Sequence, residues 1–157
     1  MLKKITIKKI VIVIIGLLLI FQLFRIDKTT KPVDTTTDFI SVTQANSEIA
    51  PILKTSCYDC HSNQNIYPWY TNIAPVSWWI KNHINEANHH LNFSEWGTYS
   101  FKRKNHKLEE CYEMIEENEM PISSYTLIHG DAKLSDSQKT LLITWFKNLK
   151  DSLKTQP

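Results

Sequence analysis

The sequence has few cysteines, no β-strand pattern and no repeated segment, and each shortage excludes a class of protein. Three cysteines among 157 residues are too few for a framework of disulfide bonds. No stretch of useful length alternates apolar and polar residues, which argues against a β-sheet protein. No internal repeat is present, so a repeat protein is not expected. The length suits one domain with short appendages.

Negative charge is missing from the start of the chain. The first 25 residues contain no Asp or Glu but five basic residues: Lys3, Lys4, Lys8, Lys9 and Arg25. The rest of the chain holds 13 basic residues against 16 acidic residues, a net charge of about −3. A basic protein that binds nucleic acid is therefore not indicated, and we expect the positive charge to belong to a membrane-proximal end.

An apolar run follows these lysines. Residues 10–24 are apolar except for Gln22, and as a helix they would span roughly 22 Å. Flanking isoleucines can extend this span toward the roughly 30 Å of a bilayer core. The alternative is a cleaved signal peptide, but residues 24–28 contain no small-residue cleavage site. We therefore expect residues 1–26 to form an uncleaved, single-pass transmembrane anchor, with the following domain on the outer side of the cytoplasmic membrane.

The remainder divides into a tether and a helical domain. Residues 27–38 are polar and rich in threonine, which is typical of a flexible tether. The folded domain is expected to cover residues 39–153. Apolar residues at spacings of three and four predict four helical segments, at about 47–60, 75–87, 104–118 and 135–149. Ser135 and Gln138 fit a capping box at the start of the last segment. The expected fold class is all-α.

One short motif carries chemistry. Cys57, Cys60 and His61 form the pattern C-x-x-C-H. Residues three apart share one face of a helical turn, so both thiols can reach the two vinyl groups of one haem while His61 turns toward its iron. This spacing is typical of c-type haem attachment, which in bacteria takes place outside the cytoplasmic membrane. We expect one covalently bound haem c, with His61 as the proximal iron ligand.

Three other uses of the cysteine pair stay open. A zinc site needs four ligands, and Cys111 has no Cys or His at ligand spacing to supply a second pair. A thioredoxin-like redox pair needs a β-α-β setting, which the missing strand pattern argues against. A structural disulfide between Cys57 and Cys60 is the third alternative. Cys111 itself is interpreted as a small buried hydrophobic residue.

The sixth iron ligand is expected to be Met120. This residue precedes Pro121 in a loop after the third helical segment, so its thioether can swing onto the open side of the haem. His83, on the apolar face of the second segment, is the alternative sixth ligand. Met114 is interpreted as a packing residue, and His129 as a residue with a local or propionate hydrogen bond.

Aromatic side chains supply expected walls for the flat cofactor. Trp69 and Tyr70 follow the haem motif closely, and Trp79 lies on the second helical segment, so we expect all three to contact haem. Six glutamates decorate the third segment: Glu109, Glu110, Glu113, Glu116, Glu117 and Glu119. Their simplest interpretation is a solvated face, and the bolder one is a docking patch for a basic redox partner.

Several motifs together resemble a known family. They are Cys57 to Ser62, Pro68-Trp69-Tyr70, Pro75-Val76-Ser77-Trp78, His83, Leu91-Asn92-Phe93-Ser94-Glu95-Trp96, Met120-Pro121 and His129. In these motifs, over roughly residues 40–150, the chain resembles the bacterial haem-binding domain family of small, membrane-anchored, cytochrome-c-like proteins. The resemblance implies haem c at Cys57 and Cys60, His61 as proximal ligand and a cytochrome-c-like fold. Ile122 departs from the second proline that cytochromes often carry after Met-Pro.

The sequence thus predicts a mono-haem c-type cytochrome that transfers electrons to a protein partner. A six-coordinate iron leaves no substrate site, so an enzyme is less expected than an electron carrier. The alternatives are a haem-based sensor of small ligands and a haem subunit of a larger redox enzyme.

Overall fold

The computed structural model describes residues 6–154, and this range contains helices and loops without a β-strand. The α-helices of this range are α1 (Ile7–Phe21), α2 (Phe39–Thr43), α3 (Ile49–Ser56), α4 (Tyr58–His61), α5 (Val76–His90), α6 (Phe101–Glu116), α7 (Ser123–Thr126) and α8 (Asp136–Lys154). Short 3-10 helices cover Trp69–Asn72, Phe93–Thr98 and Gly130–Ala132. The all-α prediction is confirmed.

The first helix is shorter than the predicted anchor. Within residues 6–154, no helix is both long and apolar enough to cross a membrane, so the predicted transmembrane span is not supported. Helix α1 has 15 residues, and residues 1–5 lie outside the described range. It ends where Gln22 turns toward the domain: its amide nitrogen donates to the carbonyl of Ala74 at 2.9 Å, and its amide oxygen accepts from the Ala74 N–H at 3.0 Å.

The segment that joins α1 to the domain is held by hydrogen bonds. Lys28 Nζ donates to Thr71 Oγ1 at 2.9 Å and to Asn72 Oδ1 at 2.7 Å. Lys31 pairs with Glu95 at 2.8 Å between the ammonium nitrogen and a carboxylate oxygen. Lys28 and Lys31 both belong to residues 27–38, the segment expected to be a flexible tether. The flexibility of this segment stays a prediction.

Helix α2 contributes Phe39, a residue at the centre of the core. Phe39 is fully buried, and its ring centroid lies 4.8 Å from that of Phe93 and 4.7 Å from that of Trp96. Asp38 caps this helix, because its carboxylate accepts from the Ile40 N–H at 3.1 Å. The polar residues 34–38 are therefore followed directly by a buried phenylalanine, which joins the N-terminal segment to the core.

Helices α6 and α8 form the long antiparallel pair of the domain. Leu108 and Ile115 of α6 and Leu142 and Phe146 of α8 are buried. The predicted capping box is present: the Ser135 N–H donates to Gln138 Oε1 at 2.9 Å, and Ser135 Oγ accepts from the Gln138 N–H at 3.3 Å.

Lysines neutralise part of the glutamate-rich side of α6. Lys150 of α8 pairs with Glu109 at 2.6 Å, and Lys147 of α8 pairs with Glu116. Lys107, on α6 itself, pairs with Glu110. These ion pairs leave fewer free carboxylates for a basic partner than the sequence indicated.

Candidate functional site

The cysteine motif lies at a break between two helices. The Cys57 N–H donates to the Leu53 carbonyl at 2.9 Å and ends α3. The Cys57 carbonyl then accepts from the N–H groups of Cys60 at 3.2 Å and His61 at 2.9 Å, which starts α4. The expected continuous helix over 47–60 is wrong, because the chain redirects at Cys57, where φ is −127°. The motif therefore occupies one tight turn of its own.

Tyr58 fixes this turn to the core. Its ring is buried and stacks on Phe93, with centroids 5.3 Å apart and planes 10° from parallel. Its hydroxyl donates to Asp38 Oδ1 at 3.1 Å, and burial together with this carboxylate raises the pKa of the phenol. The motif is thus connected to the cap of α2, which the sequence did not indicate.

His61 is oriented by main-chain carbonyls at the end of α5. Its Nδ1 lies 3.1 Å from the Leu91 oxygen and 3.2 Å from the Ala87 oxygen. Carbonyls only accept, so Nδ1 carries the proton and Nε2 keeps its lone pair. Burial lowers the pKa of the imidazole, which favours this neutral form. Metal-bound histidines are commonly oriented in this way.

A cavity of about 500 Å³ lies against the motif and has mainly apolar walls. Its size is within the range of small-molecule and cofactor sites. The predicted residues that line it are Cys57, Cys60, His61, His83 and Met120. Residues that the sequence did not assign to the haem also line it, among them Phe93, Cys111, Met114, Tyr125, Leu134 and Phe146.

The three thiols at this cavity are held in their uncharged form. Burial raises the pKa of Cys57 to about 12 and that of Cys60 to about 11. Burial also raises the pKa of Cys111, with a further contribution from the nearby Cys57. All three cysteines are free in the structure.

The two candidates for the sixth ligand both reach the cavity. Met120 belongs to the loop after α6, and its N–H donates to the Met114 carbonyl at 3.1 Å. His83 projects from α5, and its Nδ1 lies 2.9 Å from the Trp79 carbonyl, so in the neutral ring Nε2 is the nitrogen that carries the lone pair. Both side chains are therefore able to donate a lone pair there.

The predicted aromatic walls lie to one side of this cavity. Tyr70 and Trp79 line a smaller pocket of about 90 Å³. This pocket shares four residues with the large cavity: Cys60, His83, Ile122 and Tyr125. Trp69 is 74% exposed and lines neither space. The sequence spacing placed these rings near the motif, but the 3-10 turn Trp69–Asn72 directs Trp69 outward.

Two hydrogen-bonded pairs border the smaller pocket. The Tyr125 hydroxyl donates to Asp59 Oδ2 at 2.7 Å, so helix α7 is joined to one of the two residues between the motif cysteines. Tyr70 and His129 share a short hydrogen bond between the hydroxyl and Nε2. The His129 ring also stacks on Tyr125, with centroids 4.4 Å apart.

A zinc site finds no support in the described part of the chain. Among residues 6–154, no group of three or more His, Cys, Asp or Glu side chains is arranged to hold a metal ion. An apolar cavity bordered by the oriented imidazole of His61 instead suits a large flat cofactor whose metal takes its other ligands from a macrocycle.

Comparison with known proteins agrees with this geometry. The profile of the haem-binding domain family matches residues 16–148, which is most of the chain and includes the whole cavity. No match was found among curated proteins or among solved structures. The chain therefore belongs to the haem-binding domain family.

Proposed function

We propose that the protein carries one haem c, bound covalently through Cys57 and Cys60, and acts as a mono-haem electron carrier of cytochrome-c-like fold. The proposal rests chiefly on His61. Its imidazole is half-buried, has a lowered pKa and is held by the Leu91 and Ala87 carbonyls, with Nε2 left for iron. No hydrogen bond to this nitrogen occurs among residues 6–154. When bound, the haem supplies one-electron oxidation and reduction.

The chain's own residues would hold, orient and shield the cofactor. Cys57 and Cys60 would attach it through thioether bonds, and their tight turn fixes the spacing of the two sulfur atoms. The apolar walls would limit the access of water and so influence the reduction potential of the bound group. Met120 is the proposed sixth ligand, and a thioether there favours the reduced iron.

Covalent attachment is tested with a denaturing gel stained for haem. We expect the stain to stay with the chain, since thioether bonds survive denaturation. The double variant Cys57→Ala, Cys60→Ala should lose the stain. Cys111→Ala is the matched control, because this third thiol lines the same cavity but lies outside the motif. Loss of the stain from wild type on acid-acetone extraction would refute a c-type haem.

The sixth ligand is tested by absorption spectra of oxidised protein. Met120→Ala should abolish the weak near-infrared sulfur-to-iron band and lower the reduction potential. Met114→Ala, which removes another thioether from the same cavity, should leave the band in place. If His83→Ala rather than Met120→Ala opens the iron, the ligand is His83.

A second function is favoured by the exposure of the proposed ligand. Met120 is 36% exposed, although it borders the cavity. A ligand at the solvent edge is easier to displace, which suits a sensor of small ligands. Rapid binding of carbon monoxide by reduced wild-type protein would favour the sensor, and slow binding the carrier.

The proposed location is the outer side of the cytoplasmic membrane, with a redox protein as partner. Helix α1 supports membrane attachment, because it has no buried residue and its exposed side chains are almost all apolar. Lys8, Lys9 and Arg25 flank the apolar side chains and suit anionic lipid headgroups. Cell fractionation with a haem stain tests this location, and haem in the cytosolic fraction would contradict it.

A further inference from the structure

An exposed aromatic surface lies beside α1. Trp69 is 74% exposed, Trp79 49% and Trp78 36%. Exposed aliphatic side chains from the same region extend this surface: Ile66, Ile73, Val76 and Ile128. Ile66, Val76, Trp79 and Ile128 line one pocket together with Tyr70 and are therefore neighbours. Trp69 adjoins them, because its ring centroid lies 5.9 Å from that of Tyr70. We call these seven residues the tryptophan surface; a patch of this kind marks an interaction site rather than a random scatter of apolar residues.

The end of α1 is fixed to this surface. The rings of Phe21 and Trp78 have centroids 5.2 Å apart, and the Trp78 indole N–H donates to the Phe24 carbonyl at 2.8 Å. Gln22 adds two hydrogen bonds to Ala74, just before α5. Whatever surface receives α1 must therefore also come close to Trp78.

Basic side chains surround the junction. Arg25 and Lys28 follow α1, and the ammonium groups of Lys28 and Lys81 lie 5.5 and 5.9 Å from the ring centre of Tyr67. Asp27 is the acid of this stretch, and its carboxylate already accepts hydrogen bonds from Thr29. The junction thus presents an excess of positive charge next to exposed tryptophans.

We infer that the tryptophan surface lies directly against an anionic lipid surface, so that the haem domain rests on the membrane instead of hanging from a mobile tether. This inference rests on the proposed membrane attachment by α1. Indole rings prefer the boundary between headgroups and acyl chains, and lysine and arginine prefer anionic headgroups. Lipid also explains why α1 is apolar on all sides, since a single partner groove would cover only one face.

The test uses the full-length protein with its haem and vesicles of phosphatidylglycerol and phosphatidylcholine. Hydroxyl-radical footprinting read by mass spectrometry should show Trp69 and Trp79 protected when vesicles are added. Phe101, which is 56% exposed at the start of α6, is the internal reference and should stay as reactive as before. Vesicles of phosphatidylcholine alone, or high salt, should weaken the protection.

Substitutions then measure the contribution of the surface. The double variant Trp69→Ser, Trp79→Ser should bind the anionic vesicles about tenfold more weakly, because two apolar rings no longer enter the interface. Phe101→Ser should bind as wild type does. Trp78 is left unchanged, since its hydrogen bond to Phe24 holds α1.

Each outcome separates this inference from the proposed attachment. If the protein binds vesicles but Trp69 and Trp79 stay reactive, attachment stands and the inference is wrong. A protein that does not bind vesicles at all overturns both. Protection that appears without lipid as the protein concentration rises would mean that a second copy covers the surface, which also overturns the inference.

Discussion

Three thiols border the proposed haem cavity, yet the motif uses two of them. Covalent attachment would consume Cys57 and Cys60 and leave Cys111 as the free thiol. Because burial raises the pKa of Cys111, little thiolate is present near neutral pH, and thiolate is the reactive form. The haem-bound protein thus provides a stoichiometric test of attachment.

We expect the native holo-protein to react negligibly with a thiol reagent at pH 7, and the denatured holo-protein to react with one thiol per chain. The native reaction should accelerate as the pH rises, since a raised pKa moves thiolate formation to higher pH. The Cys111→Ala variant is the control and should react with none. Three reactive thiols after denaturation would contradict thioether attachment.

Tyr125, on the helix α7 that follows the Met120 loop, forms a hydrogen bond to Asp59 of the motif. Its pKa is raised by burial and by its hydrogen bond to Asp59, so it stays a donor over the physiological range. Tyr125→Phe removes this bond, and bonds to charged acceptors contribute about 1.5–3 kcal/mol. We expect amide hydrogens of α7 to exchange roughly tenfold faster. The matched control is Tyr112→Phe, which removes a hydroxyl bonded to Glu109 on α6; equal exchange in both variants would contradict this role.

At this scale, residues close in sequence were predictable and residues joined by the fold were not. Spacing alone grouped Cys57, Cys60 and His61 into one motif, and the three residues do lie in one tight turn beside the cavity. Their role in haem binding stays a prediction. Phe93 and Tyr125 come from short helices distant in sequence, and apolar periodicity gives no signal for their approach. Trp69 illustrates the reverse error, since closeness in sequence to the motif does not determine which way a 3-10 turn points its side chain.

Among the elements, the contact between the N-terminal segment and the 3-10 helix Phe93–Thr98 leaves no room for a side chain. The Gly97 N–H donates to the Thr37 carbonyl at 2.8 Å, and a Cβ on Gly97 would lie 2.8 Å from Thr37 Cα. Because this nearest atom belongs to the backbone of Thr37, it cannot move aside as the end of a flexible side chain could. Position 97 therefore requires glycine for close approach.

Gly97→Ala should lower the free energy of unfolding by roughly 1–3 kcal/mol, the usual effect of an overpacked contact. Denaturant unfolding monitored by circular dichroism measures this change. Gly130→Ala is the control, because a Cβ there meets nothing within 4 Å. If both variants unfold alike, the contact with Thr37 does not contribute to stability.

The long helices were predictable and the short ones were not. Periodic apolar residues indicated α5, α6 and α8, and the capping box marked the start of α8 correctly. Helices α2, α4 and α7 have four or five residues, too few for a period to appear. They form because caps and tertiary contacts hold them, as Asp38 and Tyr58 do for α2 and α4.

For the molecule as a whole, the question is where the stable domain begins. Asp38 is buried and accepts from Tyr58 and from the Ile40 N–H, and Thr37 Oγ1 donates to the Ser94 carbonyl at 2.8 Å. These bonds lie just before the expected boundary at residue 39. A domain cut at Phe39 would leave the Tyr58 hydroxyl buried without its acceptor.

We expect a protein starting at residue 39 to be less stable than one starting at residue 33 by about 1–3 kcal/mol, the usual loss for a cap and a buried hydrogen bond. Both would be exported with a cleavable signal and unfolded in denaturant. A variant starting at residue 33 with Asp38→Ala should resemble the shorter protein. Equal stability of the two truncated proteins would instead support a domain boundary at residue 39.

Because main-chain carbonyls orient His61, single substitutions have little effect on the orientation of its imidazole ring. The groups that orient its imidazole are the carbonyls of Ala87 and Leu91, and every amino acid carries a carbonyl. No single substitution at position 87 or 91 deletes either acceptor, whereas a carboxylate or amide in that role could be lost in one step. Positions 87 and 91 can therefore change in sequence while the His61 ring keeps its tautomer. The orientation of this proposed proximal ligand depends on the path of the backbone and not on the identity of the neighbouring side chains.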